Sequence, residues 1–159
     1  MTRTDADGGS SLSFSDTVQI EADKAAVWNV LSDAEALAAA IPGAEDVTRH
    51  SKRRYSLQIT RGISHVTVSL DGELELVEMN EPDWIIAEGE AFDSTTGSPF
   101  EVIAGMEMTE DGEGVALSYS AELFYSGGVA RFGARLLRRV IEGDVDRYFE
   151  NVKDAVESS

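Results

Sequence analysis

The stretch Val66-Thr67-Val68-Ser69-Leu70-Asp71-Gly72-Glu73-Leu74-Glu75-Leu76 decides the fold. Even positions are apolar, apart from Gly72, and odd positions are polar. Side chains of a strand point alternately to opposite faces, so this is a long strand with one face covered and one in water. Gly72 falls on the covered face and predicts a bulge or bend where the sheet curls.

The same alternation extends in both directions. Downstream, Trp84 to Phe92 reads as a strand, and Phe100, Val102, Ala104, Met106 and Met108 mark another. Asp111-Gly112-Glu113-Gly114 turns the chain, and Val115, Leu117, Tyr119, Ala121 and Leu123 return it as a hairpin. Upstream, Tyr55, Leu57 and Ile59 alternate with Ser56, Gln58 and Thr60, ahead of a turn expected at Arg61-Gly62. The first strand is Leu12 to Ile20, with Leu12, Phe14, Val18 and Ile20 on one face. Asp23 then precedes a helical stretch with the apolar stripe Ala26, Val27, Val30 and Leu31. A second short helix, Ala34 to Ala40, stops at Ile41-Pro42-Gly43. Gly127-Gly128 opens the last element, a helix to about Val156 carrying Phe132, Leu136, Val140, Phe149 and Val152 on one stripe. At about 1.5 Å per residue it is about 45 Å long, enough to cross a small domain.

The fold class is therefore α+β. A curved antiparallel sheet of about six or seven strands wraps around a long C-terminal helix, with two short helices after the first strand. Residues 1–11 are expected to be a disordered polar tail and residues 12–157 one domain. A straight helix cannot follow a curled sheet along its whole length, so a space is expected at one end. Its expected lining is Phe132, Leu136 and Val140 on the helix, and Tyr55, Leu57, Met106 and Tyr119 on the strands. Methionine adapts to varied shapes. The two tyrosine hydroxyls offer the few polar contacts that orient a ligand.

Composition narrows the function. The chain of 159 residues has no cysteine, which excludes disulfides and thiolate metal sites. Thirty acids against thirteen bases give a formal charge of -17, a field that repels nucleic acid and anionic lipid surfaces. The bases are mostly arginine and the acids are spread along the chain. This is the pattern of a halophilic protein kept soluble in a salty cytoplasm. No apolar run reaches the roughly 20 residues of a membrane span, and Met1 to Ser13 lacks a signal-peptide pattern. A cytoplasmic location is expected.

No catalytic, metal or cofactor constellation appears. His50 and His65 are not spaced as ligands or as a general base with a partner. Glu73 with Glu75, and Glu88 with Glu90, read as the solvated outer face of a strand rather than as paired carboxylates. Arg131, Arg135, Arg138 and Arg139 cluster on the last helix. They read either as partners of the surrounding acids, or as a patch for an acidic partner or a ligand carboxylate. A binding module and a pocket enzyme both remain open. The inward positions offer only Tyr55 and Tyr119 as polar groups, which favours binding.

Three segments, taken in order, resemble the CoxG family of carbon monoxide dehydrogenase, in the START/Bet v 1-like (polyketide cyclase/dehydrase-like) superfamily. They are Ala26-Val27-Trp28 with Leu31-Ser32-Asp33, Leu37 and Ile41-Pro42-Gly43; then Asp111-Gly112-Glu113-Gly114 with Leu117, Tyr119 and Ala121; then Gly128-Val129-Ala130 with Gly133, Arg135-Leu136-Leu137 and Phe149. The resemblance implies a helix-grip fold that binds a small apolar, quinone- or lipid-like ligand. It also implies an accessory or assembly role for a molybdenum-containing dehydrogenase. The alternative it carries is a pocket enzyme of the polyketide cyclase or hydrolase type. Family members often bear a membrane-associating extension. Here the chain stops at Ser159, just after the helix, so the expectation rests on the pocket.

Overall fold

A computed structural model describes residues 10–63 and 65–158. Seven strands form one antiparallel sheet: β1 (Ser10–Ile20), β2 (Ala44–Ser51), β3 (Arg54–Ile63), β4 (Val66–Asn80), β5 (Trp84–Asp93), β6 (Ser98–Asp111) and β7 (Gly114–Tyr125). Their spatial order is β1-β7-β6-β5-β4-β3-β2. Every pair except β1 and β7 is adjacent in sequence, so the sheet is a meander whose first strand returns to its last. Helices α1 (Lys24–Leu31) and α2 (Ala34–Ala39) follow β1, and α3 (Ala134–Glu157) ends the chain.

β1 starts at Ser10, ahead of the expected Leu12, because Ser10 and Ser11 pair with Tyr125 and Phe124. The rest of the expected N-terminal tail, residues 1–9, lies outside the described residues. The short helices start where short polar side chains can satisfy the free N–H groups of a helix end. Asp23 accepts from the Ala26 N–H at 2.8 Å, and Asp33 from the Glu35 N–H at 2.9 Å. α2 ends at Ala39, just ahead of the Ile41-Pro42-Gly43 turn. Gly43 takes φ 81°, and its carbonyl accepts from the Thr60 N–H at 3.1 Å.

Four expectations from the sequence need correction. β2 was not legible: Ala44–Ser51 has no alternation, and as an edge strand with irregular register it leaves most side chains in water. The expected turn at Arg61-Gly62 is strand, since both pair with β4 up to Ile63↔Val66. Gly72 makes no bulge and keeps regular register with Leu57 and Ala91; the irregularity falls between Leu76 and Glu78. The last helix is not continuous from Gly127. Gly127–Phe132 is a 3-10 turn, Gly133 breaks the chain at φ 91°, and α3 begins at Ala134. Its 24 residues span about 36 Å.

The inward faces of the sheet, α1 and α2 bury a single apolar cluster against α3. The C-terminal half of α3 is the better packed. Phe149, Val152 and Val156 are buried there, whereas in the first turns only Leu137 is. Ties at its C-terminal end fix the helix: the Asn151 amide donates to the Ala40 carbonyl at 2.9 Å, and the Glu157 carboxylate accepts from the Glu21 N–H at 2.8 Å.

A buried polar hub fixes the other end. Asp93 is fully buried, and its carboxylate accepts from the N–H groups of Ser69, Thr95 and Thr96 at 3.0 to 3.2 Å and from the Thr96 hydroxyl. Thr96 in turn bonds the Ser98 hydroxyl, whose oxygen accepts from the Val129 N–H at 2.8 Å. The 3-10 turn is thereby held against the β5–β6 loop. Gly128 is required there, because a Cβ would collide with the Thr96 carbonyl.

Candidate functional site

Inward side chains lie in rows across the sheet, and the rows differ in bulk. One row runs Met79, Ile85, Met106, Tyr119. It is filled with large side chains. Two others run Leu57, Gly72, Ala91, Phe100 and then Leu74, Gly89, Val102, Leu123. These carry two glycines and an alanine at their centre. A cavity of about 280 Å3 lies over these rows, between the sheet and the N-terminal half of α3. Leu137, Val140, Ile141 and Val145 close it from the helix, and Ile41 and Pro42 reach it from the turn after α2. Gly72 and Gly89 thus act by omitting bulk rather than by bending the strand. A void lined by aliphatic and aromatic groups gains little from water and favours an apolar occupant.

Of the residues expected to line a pocket, Leu57 and Val140 do so. Tyr55, Met106, Tyr119, Phe132 and Leu136 do not. Tyr119 lies flat on Phe149, with ring centroids 3.9 Å apart and planes 11° apart. Met106 faces it across the sheet in the packed row and is 3 % exposed. Burial raises the Tyr119 phenol above its ordinary pKa, with Asp16, Asp146 and Glu142 adding to the effect. Tyr55 is 2 % exposed and its phenol is likewise raised by burial. Arg49 opposes that shift, while Glu35 and Asp33, at the start of α2, reinforce it. Both hydroxyls therefore belong to the end of the molecule where α1 and α2 pack. Phe132 sits on the 3-10 turn, off the stripe of α3, because Gly133 breaks the helix. Leu136 is half-buried against the core.

The polar feature of the cavity is one the sequence did not single out. Arg61 on β3 and Asp144 on α3 both line it and form a two-pronged ion pair. The Arg61 Nε donates to Asp144 Oδ2 at 3.0 Å, and Nη2 donates to Oδ1. Their side chains are 35 % and 27 % exposed, so the pair stands at the rim. A pair this exposed contributes about 0–1 kcal/mol to stability. Its position says more than its strength, since among the described residues it is the ion pair joining α3 to the sheet. On its other side the Arg61 stem is backed by the turn after α2. A Cβ on Gly43 would come within 3.0 Å of Arg61 Cδ. The signal available in the sequence was an arginine at an inward strand position, with the parity of Leu57, Ile59 and Ile63.

The other polar candidates stay outside the cavity. Glu73 is held by Arg54, whose Nε and Nη2 donate to one carboxylate oxygen at 3.1 and 2.8 Å. His65 is exposed, and exposed His50 bonds the Ser56 hydroxyl. Arg131, Arg135, Arg138 and Arg139 are exposed and, among the described residues, form no ion pair, contrary to the pairing with nearby acids read from the sequence. Arg138 instead covers the Phe14 ring, 5.4 Å from its centroid. A wider depression of about 870 Å3, lined among others by Asp46, Asp71, Glu73 and Glu90, lies over the solvent face of the strands. It is open and acidic, a place for water and counter-ions rather than for an apolar molecule.

The architecture has solved relatives. A conserved protein from Geobacillus kaustophilus is 19 % identical, with a TM-score of 0.82 over 93 % of this chain and 97 % of its own. The Zhui aromatase/cyclase from Streptomyces sp. R1128 is 15 % identical, with a TM-score of 0.64 over 93 % of this chain and 94 % of its own. Ara h 8.0201 is 10 % identical, with a TM-score of 0.61 over 94 % of this chain and all of its own. At such identities the likeness establishes the helix-grip fold of the START/Bet v 1-like superfamily. No curated protein matches the chain. The sequence profile of the carbon monoxide dehydrogenase CoxG family matches residues 17–157, nearly the whole of the described domain. The chain belongs to the CoxG family of carbon monoxide dehydrogenase.

Proposed function

We propose that this protein holds a small hydrophobic ligand, quinone- or lipid-like, in the cavity under α3 and does not transform it. The observation that carries this reading is the cavity itself: about 280 Å3 of space where a close-packed core would leave almost none. Small inward residues on neighbouring strands keep it open, so it follows from the sequence of the sheet and not from one loose side chain. The lining supports binding over catalysis. It holds no histidine, Asp144 is engaged by Arg61, and Glu73, Glu90 and Glu101 occupy strand positions whose side chains alternate to the outer face. A cyclase or hydrolase would need a positioned acid or base free to act on the ligand.

The family supports a partner as well as a ligand. The reading is of an accessory or assembly factor for a molybdenum-containing dehydrogenase, acting in the cytoplasm of a halophilic cell. No helix among the described residues is long and apolar enough to cross a membrane.

Native mass spectrometry of the protein purified from its own host tests the ligand. An apolar molecule should be retained in the intact complex and be released unchanged on denaturation. A protein that carries nothing and takes up no apolar probe is not a carrier. A chemically altered product released on incubation would make it an enzyme. Co-purification of the dehydrogenase with the tagged full chain tests the partner, and its consistent absence would limit the role to ligand binding.

A further inference from the structure

We infer that Arg61 is the specificity-determining residue of the cavity: it donates to an uncharged acceptor oxygen, a carbonyl, on the bound molecule while its pair with Asp144 stays closed. The inference rests on the cavity being a ligand site.

Arg61 uses Nε and Nη2 on Asp144, and its third nitrogen, Nη1, makes no hydrogen bond to any described residue. A guanidinium is a rigid fork whose orientation is set once two of its nitrogens are engaged. Here the stem is also backed by the Gly43 turn. The free N–H groups are therefore held in place before any ligand arrives, at the rim of a cavity whose other lining is almost wholly apolar.

The pair also selects against charge. A ligand carboxylate could take Arg61 only by displacing Asp144, leaving a carboxylate 27 % exposed without its partner and entering against a net charge of -17. A ligand ammonium seeking Asp144 would meet the Arg61 charge on it. A carbonyl needs neither exchange. It accepts from the unused N–H groups, and a hydrogen bond to a charged donor is among the stronger ones.

Size completes the description. At roughly 30 Å3 per small group, the share of one water in the liquid, the cavity takes about nine non-hydrogen atoms. The ligand thus inserts a compact apolar group, one ring or a short chain, with its carbonyl at the rim and any longer tail outside.

Four probes built on one ring test this by ligand-observed NMR in molar potassium chloride: acetophenone, ethylbenzene, benzoate and benzylamine. Acetophenone should bind about tenfold more tightly than ethylbenzene, a difference of about 1.4 kcal/mol. Both ions should bind more weakly than ethylbenzene. In the double variant Arg61→Met with Asp144→Leu, which leaves no charge unpaired, the acetophenone advantage should vanish while ethylbenzene still binds. The ranking on the unaltered protein stands as a test even if that variant does not fold. Equal binding of acetophenone and ethylbenzene overturns the role of Arg61 but leaves the cavity a ligand site. Tightest binding by benzoate or benzylamine overturns it in favour of an anionic or a cationic head. No binding by any of the four overturns the ligand site and this inference together.

Discussion

The rings of Tyr119 and Phe149 are stacked 3.9 Å apart, nearly parallel, and join the middle of the sheet to the C-terminal half of α3. Tyr148 meets the same Phe149 ring edge-on at 4.9 Å. This contact seals one end of the space under α3 and leaves the other end to the cavity. Replacing Phe149 by alanine should cost about 3–5 kcal/mol, read as a large drop in the denaturation midpoint. Tyr119→Phe keeps the stacked ring and should change stability by less than about 1 kcal/mol, with apolar-probe binding unaltered. Loss of binding in Tyr119→Phe would restore that hydroxyl to the ligand site.

Adding bulk where the sheet has little should fill the cavity. Ala121 lies on its wall, beside Phe14 on β1. Ala121→Leu should bury new methyl and methylene groups, each worth about 0.8 kcal/mol when fully buried, so stability should hold or rise while probe binding falls. Ala38 of α2 is fully buried in packed core, and Ala38→Leu should cost about 1–3 kcal/mol. Chemical denaturation of the two variants separates the cases. Equal destabilisation of both would mean that the space under α3 collapses and is not a standing cavity.

Asp93 should make the domain acid-sensitive. Burial by itself would raise its pKa, but the hydrogen bonds from the Thr96 hydroxyl and from the N–H groups of Ser69, Thr96 and Thr95 outweigh burial and hold it below the ordinary carboxylate range. The folded form therefore binds this proton less readily than the unfolded chain, whose aspartates titrate near about 3.9. The stabilisation is fully present above that value and is lost as pH falls through the lower, folded pKa. Wild type should exceed Asp93→Asn in melting temperature at neutral pH, and the gap should shrink steadily below about pH 4. A gap that stays constant down to acid pH would rule out Asp93 as the titrating group.

Salt should stabilise the fold. With -17 formal charge, self-repulsion acts over a Debye length of about 30 Å at low ionic strength and about 3 Å in molar salt. Among the described residues three ion pairs engage only a few of the thirty acids, so internal pairing does little to relieve it. The melting temperature should climb markedly from low salt to molar potassium chloride. A flat series would remove the halophile reading.

What the sequence determined by itself is what depends on near neighbours. Alternation is a property of one strand, so the covered and wet faces of Val66 to Leu76, Phe100 to Met108 and Val115 to Leu123 were legible, as were the aspartate caps of α1 and α2. The short β2 was not, because an edge strand in water needs no apolar face. The break at Gly133 was hidden by apolar residues near helical spacing on both sides of it. The position of the cavity was decided only by tertiary structure. It is the difference between facing surfaces, and nothing local tells that Gly72, Gly89 and Ala91 meet in adjacent strands while Met106 and Tyr119 fill a different row. The Arg61–Asp144 pair joins residues 83 positions apart, and the Asp93 hub joins β4, the β5–β6 loop and the 3-10 turn. Such contacts form only once register and curvature have placed the strands, and it is there that the chemistry of this protein lies.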